Sequence, residues 1–239
     1  MKNIKKIFTI IKDIGLNLIL PFLSEKKKFN LIYKSKYWKY KINSNYSASG
    51  AGSDLDATLN IRAGLKIFFK KFHIKSILDI PCGDFYWMSQ MDLDEYKYLG
   101  CDLVEQVIID NNLKFKNLKN IKFSTFDLIN DDINVYNNFD ILIIRDCLVH
   151  LEEKQIHKIL KKIFDSKIKY IALTSYDITN NKINPQKGDR WRPINFLIEP
   201  FLLKKPFYEI DDFNDFNAGE KQKKLLIWKI DENSNIYSK

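Results

Sequence analysis

The feature that most constrains this chain is a row of short apolar runs, several ending in an acid, separated by stretches with helical spacing. SILDI (76–80), YKYLGCD (96–102), NIKFSTFD (120–127), FDILIIRD (139–146) and IKYIALTSY (168–176) each have strand length. Between them, 104–116 and 152–164 repeat apolar residues every three to four positions, as an amphipathic helix does. A similar stretch, 56–72, precedes the first run, and 84–91 reads as a helix start after it. Strands apolar throughout and alternating with helices predict a parallel sheet covered on both faces. Two late runs, around 206–212 and 223–230, are close enough to form a hairpin. The expected fold is α/β: a doubly wound, mostly parallel seven-stranded sheet with an antiparallel C-terminal hairpin strand, preceded by an N-terminal helical extension.

The expected division is 1–54, a helical extension and Gly/Ser loop, and 55–239, the main domain. Residues 4–23 are largely apolar, but Lys12 and Asp13 split them and leave only Ile14–Leu23 free of charge. That run is too short to span a bilayer, which takes about 20 residues. No small-residue cleavage site follows, so a signal peptide is not expected. An amphipathic helix packed on the domain is the simpler reading; a basic helix at a membrane surface or on a partner is the alternative. Gly50 and Gly52 mark a loop, and Ser53 or Asp54 is placed to cap the helix after it.

Composition narrows the classes. Apolar residues make up 45% of the chain, enough for a buried core, which argues against disorder. The net charge is +9, but the lysines are dispersed rather than gathered with interleaved aromatics, so charge alone does not support a nucleic-acid partner. Cys82, Cys101 and Cys147 form no CxxC pair and lie in or beside apolar runs. Reduced thiols in a cytoplasmic protein are expected, with no metal site; a peripheral position at the inner membrane surface is the variant that residues 2–23 allow.

Polar residues at the carboxyl ends of such strands matter most, because ligands of open α/β sheets bind there. The first run ends Asp79-Ile80-Pro81-Cys82-Gly83-Asp84-Phe85, a turn in which Gly83 lets backbone approach a ligand. Asp102, nineteen residues after Gly83, ends the second run. An acid there is placed to accept ribose hydroxyl protons. Phe126-Asp127 ends the third, where an adenine could lie with Asp127 accepting from its amine.

The order ILDIPCGDF, YLGCD, FSTFD, ILIIRDCLVHL resembles the class I S-adenosylmethionine-dependent methyltransferases over roughly residues 55–230. The resemblance implies that Asp79, Pro81, Cys82, Gly83 and Asp84 wrap the methionine part of S-adenosylmethionine. Asp102 with Leu103 would hold its ribose, and Phe126 with Asp127 its adenine. The fourth strand, ending in Arg145, would face the methyl. Pro81 and Phe85 stand where that family carries its first and third motif glycines. The missing glycines disfavour a dinucleotide, and with it a nicotinamide oxidoreductase. GAGSDLDAT, PCGDFYWM, RDCLVHL and WRPINF further resemble small bacterial methyltransferases of surface-polysaccharide biosynthesis.

Methyl transfer to an alcohol needs alignment and removal of a proton. His150, just after the fourth strand, is the candidate base, with Asp146 orienting it or acting itself. Residues 184–196 read as a substrate lid, in which Arg190, Trp191 and Arg192 would grip an anion and stack a ring, and Asn195 would bond a hydroxyl. Tyr176 and Asp177 would line the same cleft, while Arg62 and Trp87 would cover the cofactor. The expected activity is O-methylation of a sugar, nucleotide sugar or other phosphorylated small metabolite for capsule or surface glycan. An RNA methyltransferase and a non-catalytic cofactor-binding interaction module are the alternatives.

Overall fold

The computed structural model describes residues 15–38, 47–182, 188–212 and 223–230. Seven strands form one sheet: β1 (Ser76–Asp79), β2 (Lys97–Asp102), β3 (Ile121–Thr125), β4 (Ile141–Ile144), β5 (Tyr170–Tyr176), β6 (Tyr208–Asp211) and β7 (Lys223–Lys229). Their spatial order is β3-β2-β1-β4-β5-β7-β6. β1 to β5 run parallel, and β7 pairs antiparallel with both β5 and β6. The expected α/β sheet is present, and the late hairpin supplies its antiparallel edge.

The sheet is buried on both faces, and the alternation of β4 shows how. Ile141 and Ile143 join a cluster with Ile61, Leu65, Phe68 and Phe69 of helix α2 (Leu59–Lys71). Leu142 and Ile144 join the opposite cluster with Ile156, Ile159, Leu160 and Ile163 of α4 (Glu153–Phe164). Those four α4 residues are fully buried. At roughly 1.5–3 kcal/mol for each side chain removed from water, the stripe holds the helix on the sheet. Helix α3 (Glu105–Lys114) packs beside β2 and β3 on the α2 face, through Ile108.

Two helix boundaries differ from the sequence reading. α2 starts at Leu59 rather than Asp56, and its N-cap is Thr58 rather than Ser53 or Asp54. Thr58 Oγ donates back to the Asp54 and Leu55 carbonyls, which commits 54–58 to turns. Residues 84–91 form no α-helix; only a 3-10 turn, Met88–Gln90, follows β1. Phe85 is the physical reason. It adopts φ 56°, outside the helical region, and its buried ring is locked among Tyr98, Phe115 and Phe123 at centroid distances of 4.9, 4.9 and 5.1 Å.

At the N-terminus, 15–19 are helical and Leu20–Phe22 make a 3-10 turn. Leu20 is buried against Ile32 and Tyr37, while Leu18, Ile19 and Phe22 are exposed. A helix that the sequence reading did not separate, α1 (Glu25–Ser35), follows. Among the described residues no helix is long and apolar enough to cross a membrane.

Candidate functional site

The sheet reverses its winding at β1, which lies between β2 and β4. Loops leaving neighbouring strands diverge there and open a crevice at their carboxyl ends. A cleft open to solvent occupies that place. Its floor comes from four loops: Ile80 and Pro81 after β1, Asp102 and Leu103 at β2, Phe126 to Ile129 after β3, and Asp146, Cys147 and Leu151 after β4. Its roof comes from α1 and the residues beyond it: Glu25, Phe29, Tyr33 and Trp38. Of the residues chosen from sequence, Pro81, Asp102, Leu103, Phe126, Asp127 and Asp146 meet in this one cleft.

The first loop is shaped by what lies beneath and above it. Asp79 does not line the cleft; it is buried, and the Tyr98 hydroxyl donates to its carboxylate at 2.6 Å. Burial lifts its pKa to about 7 despite that bond. Gly83 adopts φ +54°, and a Cβ there would lie 2.3 Å from Ser49 Oγ, so the position accepts only glycine. Asn111 Nδ2 donates to the Gly83 carbonyl at 2.8 Å and faces Cys82 Sγ at 3.9 Å, holding the turn from below. Asp84 also faces away from the cleft. Its carboxylate accepts from Ser47 Oγ, Ala48 N and Ser49 Oγ, so it ties the 47–49 loop to the strand end.

Asp102 is buried and accepts from the backbone N–H of Gly83 at 3.1 Å and of Val104 at 2.9 Å. Burial raises its pKa to about 6, and those two N–H groups oppose the rise. It therefore carries a charge at neutral pH and reaches the cleft in a fixed pose. Asp127 accepts from the N–H groups of Ile129 and Asn130, forming the turn that brings Leu128 and Ile129 to the cleft wall.

The β4 end holds a buried ionic network. Arg145 makes a two-pronged bond to Asp212, 2.8 Å at each prong, and also donates to the Gly52 carbonyl at 2.8 Å. Its guanidinium stacks on Trp87, 5.2 Å from the ring centroid. Arg145 and Trp87, expected on the cofactor, instead brace each other behind the cleft wall, because Asp212 and Gly52 leave the guanidinium no reach toward it. Arg62 is committed as well: it donates to Thr58 Oγ and the Leu55 carbonyl at the start of α2.

Asp146 follows at φ 54°, and its N–H donates to Thr174 Oγ. This left-handed turn carries its carboxylate into the cleft. Lys223 Nζ lies 2.6 Å from Oδ2 and Arg145 3.3 Å away, whereas Oδ1 is buried without a hydrogen-bond partner among the described residues. Burial disfavours the charge, but Lys223 and Arg145 outweigh it and hold the carboxyl below its usual range.

His150 is not in the cleft lining. The 3-10 turn Leu148–His150 swings its ring toward the Asp189 carbonyl, 3.1 Å from Nδ1. The ring packs against Phe29 and Trp38 at 5.9 and 5.7 Å. Burial lowers its pKa and keeps it neutral, so it supports the roof from behind.

The expected lid is likewise structural where it is described; 183–187 lie outside the described residues. Arg190 donates to Glu152 Oε1 at 2.8 Å and to the Pro21 carbonyl. Arg192 is buried, with its backbone N–H on the Val149 carbonyl. The Asn195 side chain bonds the Ile178 carbonyl and the Leu197 N–H. Trp191 stands edge-on to Tyr176 with its ring partly exposed, and Asp177 faces outward. None of these six lines the cleft, because the segment bonds α4's start and the N-terminal extension instead.

The roof is what sequence reasoning missed. Glu25, Phe29 and Tyr33 recur every fourth residue, so one face of α1 presents a carboxylate and two rings. Trp38 completes it, and its Nε1 donates to Asp189 at 2.7 Å. The i, i+4 spacing was visible, but three consecutive lysines, 26–28, masked it. Lys28 is fully buried and contacts Glu25.

No family model matches this chain, and no curated protein matches it. Solved structures do. The N-methyltransferase NodS from Bradyrhizobium japonicum WM9, in complex with S-adenosylhomocysteine, is 13% identical with a TM-score of 0.60, over 84% of this chain and 98% of that one. A Burkholderia thailandensis 1,6-didemethyltoxoflavin-N1-methyltransferase, also with S-adenosylhomocysteine bound, is 14% identical with a TM-score of 0.59, over 87% and 92%. The PH0226 protein from Pyrococcus horikoshii OT3 is 14% identical with a TM-score of 0.57, over 80% and 98%. The fold of this chain is thus the Rossmann-like α/β fold of methyltransferases.

Proposed function

We propose that this chain is an S-adenosylmethionine-dependent methyltransferase acting on a small molecule. The observation that carries the proposal is the meeting of Asp102 and Asp127, from successive strand ends, in one cleft with Pro81 and Phe126. The residues fit the cofactor: a fixed carboxylate for ribose hydroxyls at Asp102, and an apolar slot of Phe126, Leu128 and Ile129 for a purine. When bound, S-adenosylmethionine supplies an electrophilic methyl carbon and leaves as a neutral thioether, so no acid is required of the protein. The chain's own contribution is alignment and exclusion of water, by the roof above and the Asp146 turn below. Asp146 rather than His150 is the group placed to meet the acceptor.

The acceptor class read from the sequence narrows here. A phosphorylated metabolite or an RNA would meet no cation in the cleft lining among the described residues, since the Arg190 guanidinium is on Glu152 and that of Arg192 reaches the Val149 carbonyl. A sugar ring remains compatible with the aromatic roof. Placement in capsule or surface-glycan synthesis rests on the motif resemblance, and peripheral membrane contact on the exposed Leu18, Ile19 and Phe22. Within the 1–54 extension, residues 25–38 serve, in this reading, as the roof over the 55–239 domain. The test is calorimetric titration with S-adenosylhomocysteine, in which saturable one-to-one binding is expected. No binding would remove the proposal.

A further inference from the structure

With Asp102 and Asp127 assigned to the cofactor, the roof and the β4 side of the cleft are left for the acceptor. They are lined by Glu25, Phe29, Tyr33 and Trp38 above, and by Asp146 with Cys147 below. The rings pack on one another as an aromatic wall: Tyr33 meets Trp38 edge-on at 5.5 Å, Phe29 lies 6.2 Å from Trp38, and Lys28 Nζ stands 4.9 Å over the Phe29 ring. No Lys, Arg or His side chain lines the cleft among the described residues. The neighbouring cations pair with the carboxylates, Lys28 and Arg190 with Glu25, and Lys223 and Arg145 with Asp146.

Resting on the methyltransferase reading, we propose that the acceptor is an amine, gathered as its ammonium by Glu25 and Asp146 beside the Phe29–Tyr33–Trp38 wall. Two carboxylates beside an aromatic wall attract a cation and repel a phosphate. Asp146 Oδ1, the buried oxygen without a partner, is the atom that an N–H can satisfy. The chemistry balances. The ammonium first releases a proton to solvent past Asp146, freeing the nitrogen lone pair. That pair forms the new N–C bond to the methyl carbon while the C–S bond breaks and its electrons stay on sulfur. Ammonium and sulfonium thus yield a methylammonium, a thioether and one proton. Asp146, held ionised by Lys223 and Arg145, orients the N–H and passes the proton outward rather than retaining it.

The test uses the full chain saturated with S-adenosylhomocysteine and three probes of one shape: benzylamine, benzyl alcohol and benzyl phosphate, titrated by calorimetry near neutral pH. Benzylamine is expected to bind at least about tenfold tighter than either of the others, the scale of a desolvated cation–π and carboxylate contact. Glu25→Gln and Trp38→Leu should each remove most of that advantage while S-adenosylhomocysteine still binds, which also reports that the variants fold. Asp146→Asn should do the same; because it disturbs the Lys223 and Arg145 pairs, the other two variants decide if it fails to fold. A benzyl phosphate affinity equal to or above that of the amine, absence of amine binding, or an amine advantage that survives Glu25→Gln and Trp38→Leu would overturn the proposal. Failure of S-adenosylhomocysteine to bind would instead strike the methyltransferase reading itself.

Discussion

The floor and the roof of the cleft are built by opposite means. The floor belongs to the sheet: β1, β4 and the carboxyl end of β2 are buried, the strands are joined by ladder bonds, and Asp102 is held by two backbone N–H groups. The roof is carried by one 11-residue helix and side-chain contacts that include Lys28 to the His150 carbonyl, Tyr33 to Ser49, Trp38 to Asp189 and Arg190 beside Glu25. Backbone that is hydrogen-bonded on both sides opens only with the whole fold, whereas an element tied by side chains can open locally. A cofactor site needs constant geometry and an acceptor site needs access, so the difference suits the two halves to their proposed tasks.

The largest expected effect lies where the halves join. Arg145→Met leaves Asp212 buried with only Lys223 beside it and frees the Gly52 carbonyl. Loss of about 3–5 kcal/mol is expected from urea unfolding, as for other broken buried pairs. A loss below about 1 kcal/mol would show that the seam is not structural.

Next comes a pH test of the floor. Asp79 holds its proton up to about pH 7 when folded, whereas an unfolded aspartate releases it near 4. Its stabilising contribution is therefore full below about pH 4 and lost as pH rises through 7. Asp79→Asn retains an acceptor for Tyr98 and lacks this slope. Its stability relative to the original chain should climb by roughly 2–4 kcal/mol between pH 4 and 8 in parallel denaturation curves. A constant difference would mean that Asp79 is ionised throughout.

Asp102→Ala should weaken S-adenosylhomocysteine binding about 10- to 100-fold, the scale of a lost charge-assisted contact. In the original chain, affinity should fall as pH drops through about 6, where Asp102 takes up a proton. Affinity flat across that range would separate Asp102 from the ribose.

The smallest effect is expected at the roof. Arg190→Ala should cost only about 1–2 kcal/mol, and exchange of α1 amides should accelerate while those of β1 and β4 do not. Equal acceleration in α1 and the sheet would merge the two regions into one cooperative unit and break the comparison.

The legible and illegible residues divide along the same line. Pro81, Asp102, Leu103, Phe126, Asp127 and Asp146 sit at strand ends, where position in the chain sets position in space. The roof was hidden because Glu25, Phe29 and Tyr33 come from a lysine-rich stretch whose partners, Asp189 and Arg190, lie more than 150 residues later. Arg145, His150, Arg190 and Asn195 have the chemistry of ligand-binding groups, but each is bonded within the protein. A side chain's type states what it can bind, and only its neighbours state whether that capacity is already filled.

By itself, the sequence determined the sheet, its helical covering and the rim of acids, because periodicity and strand-end position are local properties that burial then enforces. The tertiary structure alone decided which acids face the cleft, what covers them and which cations are withdrawn. Those outcomes depend on contacts between segments far apart in the chain, where competition for hydrogen bonds and burial, not residue type, selects the partner.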